Sequence, residues 1–471
     1  VAALVADKMR PGMILFSVVV LFLCAGILTP KEMLEGFSNK GMITVALLFL
    51  VSEGIRQSGT LGQVIKKLLP QGKTTVFKAQ LRILPSVAFI SAFLNNTPVV
   101  VIFAPIIKHW AKSVNLPATK FLIPLSYVTI LGGICTLIGT STNLVVHGMI
   151  LEAGFEGFSM FELGKVGIFI AIAGIIYIFL FSKRLLPDAR PDTAVPDEEV
   201  EEGEKLHRVE AVLGARFPGI NKKLKDFNFQ RHYGAEVKEI KTRNGQRFVS
   251  NLEEVVLHEG DTLVVMADDT FIPTWGESSV FVLLTNGNEP DTTGKKKRWF
   301  ALLLLVLMIV GATVGELPVT KEMFPDIKLD MFFFVSITTI IMAWTNLFPA
   351  RKYTKYISWD ILITIACAFA ISKAMVNSGV ADSVAKFIIG LSDDYGPHVL
   401  LAMVFIITNL FTELITNNAA AALAFPLALS ISAQLGVSPT PFFVVICMAA
   451  SASFSTPIGY QTNLIVQGIG N

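Results

Sequence analysis

Apolar runs separated by short polar gaps fill most of this chain, at about 12–28, 41–58, 120–138, 161–182, 299–315, 331–347, 359–376 and 440–456. A helix needs about 20 apolar residues to cross a bilayer core, so the pattern predicts an all-α polytopic membrane protein. Two further stretches, 80–110 and 398–434, stay apolar for about 30 residues with polar residues near the middle. That is long for one span and suits two arms with a tip between them, a re-entrant hairpin.

The polar interruptions repeat. Thr136 to Gly148 (TLIGTSTNLVVHG) and Thr456 to Gly468 (TPIGYQTNLIVQG) agree at eight of thirteen positions, and each breaks a long apolar run. In hydrocarbon a broken helix is tolerated only where it is buried in protein or lines a cavity. Paired breaks in two halves point to a carrier's binding site. Upstream, Phe37 to Leu69 aligns without gaps on Ile357 to Ile389, sharing the pair Ser58-Gly59/Ser378-Gly379. Between these segments and the breaks, Ser91 to Pro98 (SAFLNNTP) faces Thr412 to Ala419 (TELITNNA), a match read as Asn95-Asn96 against Asn417-Asn418. The predicted organisation is a first membrane repeat over 1–190 (hairpin 80–110, broken helix 120–152) and a second over 298–471 (hairpin 398–434, broken helix 440–470).

Lys and Arg accumulate in cytoplasmic loops. Lys183, Arg184 and Arg190 before the middle segment, and Lys295 to Arg298 after it, place it in the cytoplasm. Counting spans outward from there gives five crossings between the hairpins, an odd number. The first hairpin should open to the cytoplasm and the second to the outside, as in inverted repeats.

The middle segment, 191–297, has a different character. Pro191 to Lys205 is an acidic linker. Strand-like runs follow at 207–213, 235–241 and 261–266, with a helical stretch near 221–229 and turn signals at Asn244-Gly245 and Glu259-Gly260. These predict a small α+β module over 206–290. Its Pro218-Gly219, Leu224 to Phe227, Tyr233-Gly234 and Gly260 to Val265 resemble the TrkA-C domain of potassium-conductance regulators. That resemblance implies a ligand-sensing or dimerising regulatory role. The abrupt end at Asn471 leads us to expect a further span in the full protein, and the short linker fits a missing second copy of the module.

Composition agrees with a membrane carrier. The chain of 471 residues is 52% hydrophobic and 16% charged, with mean hydropathy +0.60, against about 25% charged in soluble domains. Its four cysteines lie in apolar runs and read as core residues. The histidines show no metal-ligand spacing. No catalytic constellation, cofactor motif or nucleic-acid signature is visible, so an enzyme is not expected.

A dianion removed from water must meet donors or positive dipoles. Helix N-termini at two tips and two breaks would supply both. Asn96 and Asn418, with the hydroxyls of Thr97, Thr140 and Thr142, add donors, and no Lys or Arg lies near the tips in sequence. Carbonyls and hydroxyls at the same breaks are the hard oxygen ligands that Na⁺ prefers. Three Na⁺ per dianion would move one net charge, worth about 2.3 kcal/mol per 100 mV. Glu413, four residues before Asn417, is a candidate proton-coupling carboxylate.

These doubled motifs, Asn95 to Pro98 with Thr416 to Ala419 and Gly139 to Asn143 with Thr456 to Asn463, resemble the divalent-anion:sodium symporter family (DASS, solute carrier family 13) of the ion-transporter superfamily, in its branch with a TrkA-C insert. The resemblance implies a homodimeric, elevator-type Na⁺ symporter in the inner or plasma membrane. It carries substrate contacts onto Asn96, Thr97 and Asn418. One Na⁺ site would use Ser91, Asn95, Asn96, Gly139 and Asn143; the other would use Thr416, Asn418, Gly459 and Asn463. The family signature is Ser-Asn-Thr at both tips. Asn95 and Asn417 are read as replacing Ser, and Ala419 as replacing the second Thr, which removes a hydroxyl expected to hold a distal carboxylate. With Tyr460 narrowing the site, this favours sulfate over a C4-dicarboxylate. The alternatives are a Na⁺- or H⁺-coupled di- or tricarboxylate carrier and a cation channel gated by the module, although no Thr-Val-Gly-Tyr-Gly-type filter is present.

Overall fold

The computed structural model describes residues 11–70, 72–188, 207–214, 217–242, 246–268, 271–275, 280–285, 295–324, 327–390, 396–456 and 459–470. The expected linker over 191–205 and the turn at Asn244-Gly245 lie outside the described residues. Among these residues seven helices are long and apolar enough to cross a membrane. The protein is an all-α polytopic membrane protein with a small α+β insert.

Among the described residues, and besides short helices at Pro30–Glu35 and Thr60–Leu68, seven helices precede the insert: α1 (Pro11–Cys24), α2 (Lys40–Gln57), α3 (Val76–Phe93), α4 (Asn96–Ser113), α5 (Thr119–Gly133), α6 (Ser141–Glu152) and α7 (Gly164–Leu185). Besides helices at Pro318–Met323, Tyr353–Tyr356 and Val380–Gly390, seven more follow it: α8 (Lys295–Gly315), α9 (Met331–Trp344), α10 (Trp359–Asn377), α11 (Pro397–Leu414), α12 (Asn417–Leu435), α13 (Thr440–Ser451) and α14 (Gln461–Gly470). Helices α1 to α6 recur as α9 to α14, their first residues displaced by 319 to 321 positions. The backbone repeats with them. Left-handed residues recur as Gly26 with Asn346, Gly59 with Gly379 and Asn115 with Gly436, all types that tolerate positive φ. Pro105 in α4 and Pro426 in α12 also match. The hairpin arms, α3–α4 and α11–α12, are 18 or 19 residues each and so reach beyond the stretches expected from the apolar pattern.

The repeats interlock. Helix α2 packs on α9, and α10 packs on α1. After each break the chain crosses to the other repeat: α6 lies on α12 and α13, and α14 lies on α4 and α5. Helices α4 and α14 run side by side in one direction, with Asn96 beside Tyr460 at their starts and Lys108 bonded to the Ile469 carbonyl at 2.7 Å near their ends. Those ends meet the insert, where Thr262 Oγ1 donates to the Gly468 carbonyl at 2.8 Å. The first hairpin therefore opens toward the insert. The path from Thr440 through α13 and α14 ends at the insert, so the second hairpin opens on the opposite side.

The insert folds as an antiparallel five-stranded sheet in the order β3-β2-β4-β1-β5, from β1 (His207–Leu213), β2 (Glu236–Lys241), β3 (Arg247–Phe248), β4 (Thr262–Ala267) and β5 (Phe281–Thr285). Strands β3 and β5 were not anticipated from the sequence. The expected helix at 221–229 is absent. Asn221 adopts φ +61°, which no helix interior allows, and Asn228 caps a short helix at Phe229–Tyr233 after a 3₁₀ turn at Leu224–Asp226. Phe217, Phe229, Tyr233 and Phe281 fill a core separate from that of the membrane part.

An ionic cluster joins the two parts. Lys108 Nζ lies 3.1 Å from both Glu210 carboxylate oxygens, and Lys241 lies 3.6 Å from one of them. Burial opposes the charge on Glu210, but Lys108, Lys241 and Arg208 together hold its carboxyl below the usual range.

Candidate functional site: two tips against two breaks

At the first tip the helix restarts at Asn96, and Ser91 Oγ is hydrogen-bonded to the Asn96 side-chain amide at 2.8 Å. At the second it restarts at Asn417, and Thr412 Oγ1 donates to Asn417 Oδ1 at 2.9 Å. These bonds fix the register. Asn96 corresponds to Asn417, and Thr97 to Asn418, which corrects by one residue the pairing read from the two Asn-Asn doublets. Thr416, not Asn417, therefore stands where the family signature has Ser, and Asn418, not Ala419, stands where it has the second Thr. Ala419 presents nothing to a ligand: its N–H donates to Thr416 Oγ1, and its side chain packs among Leu15, Val19 and Ile371.

Each break is pinned by one asparagine. Asn143 Nδ2 donates to the carbonyls of Gly133 and Thr136 at 3.3 and 2.9 Å; Asn463 Nδ2 donates to those of Ser453 and Thr456 at 2.9 and 3.3 Å. Both residues were expected as Na⁺ ligands, and in this conformation their nitrogens face the breaks. The oxygens differ: Asn463 Oδ1 accepts from Ser126 at 2.7 Å, whereas Asn143 Oδ1 is buried without a partner.

Oxygens gather beside each tip. Around the Asn96 amide lie Ser91 Oγ at 2.8 Å, the Thr129 carbonyl at 3.1 Å and the Gly139 carbonyl at 3.2 Å. Around Thr412 Oγ1 lie Asn417 Oδ1 at 2.9 Å and the Ala450 carbonyl at 2.6 Å. Gly139 and Gly459 sit close against the preceding helix ends. A Cβ on Gly139 would lie 2.4 Å from the Gly133 carbonyl oxygen, and one on Gly459 would lie 1.8 Å from Ser453 Oγ. Ser453 Oγ is itself buried without a partner. Convergent neutral oxygens of this kind suit a hard monovalent cation.

Between the two oxygen groups runs a polar chain contributed by both repeats. Tyr460 OH lies 2.6 Å from the Asn96 amide and 2.9 Å from Thr140 Oγ1. Thr97 Oγ1 donates to Gln461 Oε1 at 3.1 Å. Asn418 Oδ1 accepts from Thr142 at 3.1 Å and from Ser141 at 3.4 Å. Each tip thus meets the break of the opposite repeat, and the expected substrate residues Asn96, Thr97, Thr140, Asn418 and Tyr460 come together. No Lys or Arg enters these bonds. Asn95 sits to one side, lining a crevice of about 10 Å³ with Ser52, Ile138 and Ser141, room for one water at most.

Glu413 is fully occupied as an acceptor. Its carboxylate takes the N–H groups of Phe454, Ser455 and Thr456, each at 3.1 Å, and the Thr456 hydroxyl at 2.9 Å. Six residues had no place in the sequence-derived site: Thr129, Ser141, Thr412, Asn417, Ala450 and Gln461. Thr412 was visible as the aligned partner of Ser91, but Thr129 contributes a carbonyl, which side-chain patterns do not report.

The citrate transporter family matches this chain over residues 1–434 and again over 327–471. The chain belongs to that family. Among similar proteins, an uncharacterised transporter from Synechocystis is 29% identical over 96% of this chain and 88% of its own length. Sodium/sulfate cotransporter 1 of Chlamydomonas reinhardtii is 33% identical over 60% of this chain and 32% of its own length. The sodium-dependent dicarboxylate transporter SdcS of Staphylococcus saprophyticus is 28% identical over 25% of this chain and 23% of its own length. This citrate-transporter-family protein is therefore a membrane transporter with small-anion carriers among its relatives.

Proposed function

We propose that this transporter is a Na⁺-coupled symporter of a small divalent anion, with sulfate as first choice. The observation that carries the reading is the interlocked polar chain of Asn96, Tyr460, Thr140, Thr142 and Asn418, flanked on each side by a group of neutral oxygens. The chain offers hydrogen-bond donors to an anion, and each oxygen group offers ligands to Na⁺. Cations next to an anion raise its affinity, and the anion raises theirs by the same factor. In the first Na⁺ site we place Ser91, Asn96, Thr129, Gly139 and Asn143. In the second we place Thr412, Asn417, Ala450 and Gly459, with Asn463 and Thr416 holding the local backbone.

Sulfate is favoured because the Tyr460 side chain, only 8% exposed, fills the middle of the site, and because a relative named for sodium/sulfate cotransport is similar. A second reading, a di- or tricarboxylate, draws on the corrected register: Asn418 puts an amide at the second tip where Ala419 would have left none. The family name points the same way. The proposal extends to an elevator movement of the hairpins against a dimeric scaffold, and to a cytoplasmic, TrkA-C-like insert.

The test is uptake of radiolabelled sulfate into proteoliposomes under a Na⁺ gradient, with citrate and succinate as competitors. Uptake should require Na⁺, and Asn96→Ala should reduce it at least about 100-fold, because that residue serves both ion classes. Uptake indifferent to Na⁺ and to this substitution removes the assignment. Competition by citrate stronger than self-competition by sulfate selects the second reading.

A further inference from the structure

The Asn96 amide stands between two environments with opposite needs. On one side are Ser91 Oγ and the Thr129 and Gly139 carbonyls; on the other is Tyr460 OH. With Nδ2 turned inward, the two amide protons face these three oxygens, and Oδ1 accepts the Tyr460 proton at 2.6 Å. With Oδ1 turned inward, it faces two carbonyl oxygens with no proton between them, and Nδ2 donates to Tyr460 at 2.6 Å. A cation among those oxygens turns the second orientation from repulsive to favourable.

We infer that Asn96 and Tyr460 form a relay in which Na⁺ binding at the first tip releases one hydrogen-bond donor to the anion. The inference rests on the Na⁺-symport reading above. The proton count is fixed by the neighbours. Tyr460 and Thr140 carry one hydroxyl proton each and lie 2.9 Å apart. Without Na⁺, the Tyr460 proton goes to Asn96 Oδ1, and the Tyr460 oxygen accepts from its other two partners, Thr140 and the Asn417 amide, so the Tyr460 proton is not free. With Na⁺, Asn96 Nδ2 donates to the Tyr460 oxygen. One of the two protons still bridges the pair, and the other is left to point at the anion. No residue moves; a single amide turns over. Tyr460 is thus a specificity and coupling residue, and it sits at the place that Thr140 occupies in the first repeat.

The two hydroxyls separate the relay from a merely structural role. In Tyr460→Phe, the Thr140 proton is free with or without Na⁺, so the gain in anion affinity on adding Na⁺ should fall about tenfold or more, the worth of one hydrogen bond to a charged group. Na⁺ binding itself, read as the NaCl-dependent rise in Tm without anion, should stay as in the parent protein. In Thr140→Val, the Tyr460 proton still switches, so anion affinity should drop alike in NaCl and in choline chloride, with their ratio kept. The measurement is equilibrium binding of radiolabelled sulfate, and in parallel citrate, to the purified full chain in both salts. A Tyr460→Phe protein with the parent's ratio overturns the relay while leaving symport intact. A Thr140→Val protein that loses the ratio also overturns it. No Na⁺ effect on either anion in the parent protein defeats the symport reading and the relay together.

Discussion

At the first break the Thr136 hydroxyl reaches the carbonyl of Ala92. At the second, the residue in the place of Ala92 is Glu413, whose carboxylate gathers three successive N–H groups and the Thr456 hydroxyl. One break is thus fastened by neutral bonds and the other by a full charge. The tips differ in the same sense: Thr416 caps the second helix through its hydroxyl, whereas Asn95 makes no capping bond. A duplicated scaffold has kept its path and acquired two electrostatic characters. Negative charge beside the second break attracts a cation and repels an anion, so the anion should sit nearer the first break. Glu413, considered from sequence as a proton-coupling group, acts in this conformation as an anionic clamp.

The contrast can be broken most severely at Glu413. Glu413→Gln removes the charge and leaves N–H groups short of an acceptor, at about 1–3 kcal/mol for each one lost. Na⁺-driven uptake should fall about 10- to 100-fold, whereas Ala92→Ser, its counterpart, should change uptake less than threefold. Equal effects would mean that the two breaks are not differently fastened. The glycines sharpen the comparison at smaller scale. Gly139→Ala drives a methyl group into a backbone carbonyl that cannot retreat, and should cost about 1–3 kcal/mol, read as a lower Tm. Gly459→Ala meets mainly the Ser453 side chain, so adding Ser453→Gly should restore most of its loss, a rescue without parallel at Gly139. The smallest effect is expected where the insert meets the first repeat. Glu210→Gln should weaken that junction by about 1 kcal/mol, seen as faster proteolysis within the insert. Because the Glu210 carboxyl is held below its ordinary value, its contribution is complete above about pH 4.3 and is lost as pH falls further. The pH dependence should vanish in the variant.

The apolar runs and the doubled Gly-Thr-Asn breaks were legible because lipid enforces both: apolarity where the chain is covered by hydrocarbon, and special residues where it is not helical. The tip register was legible too, because SAFLNNTP laid on TELITNNA without a gap sets Asn96 on Asn417. Matching one Asn-Asn doublet to the other slips that alignment by one residue, and the bonds at Ser91 and Thr412 restore it. The recurrence of α1 as α9 was hidden, since PGMILFSVVVLFLC and MFFFVSITTIIMAW share little beyond being apolar. The crossing of α6 and α14 into the opposite repeat is a long-range choice that no local pattern encodes. In the insert, Asn221 overrode a helical pattern through a single left-handed residue.

The crossing of α14 also sets a timetable for biogenesis. Asn96 emerges early in synthesis, yet the phenol that completes its surroundings comes 364 residues later. At about 5–20 residues per second, the first hairpin spends roughly 20–70 seconds in the bilayer without its closing wall. Until α14 arrives, its polar tip must be sheltered by water, lipid headgroups or the insertion machinery.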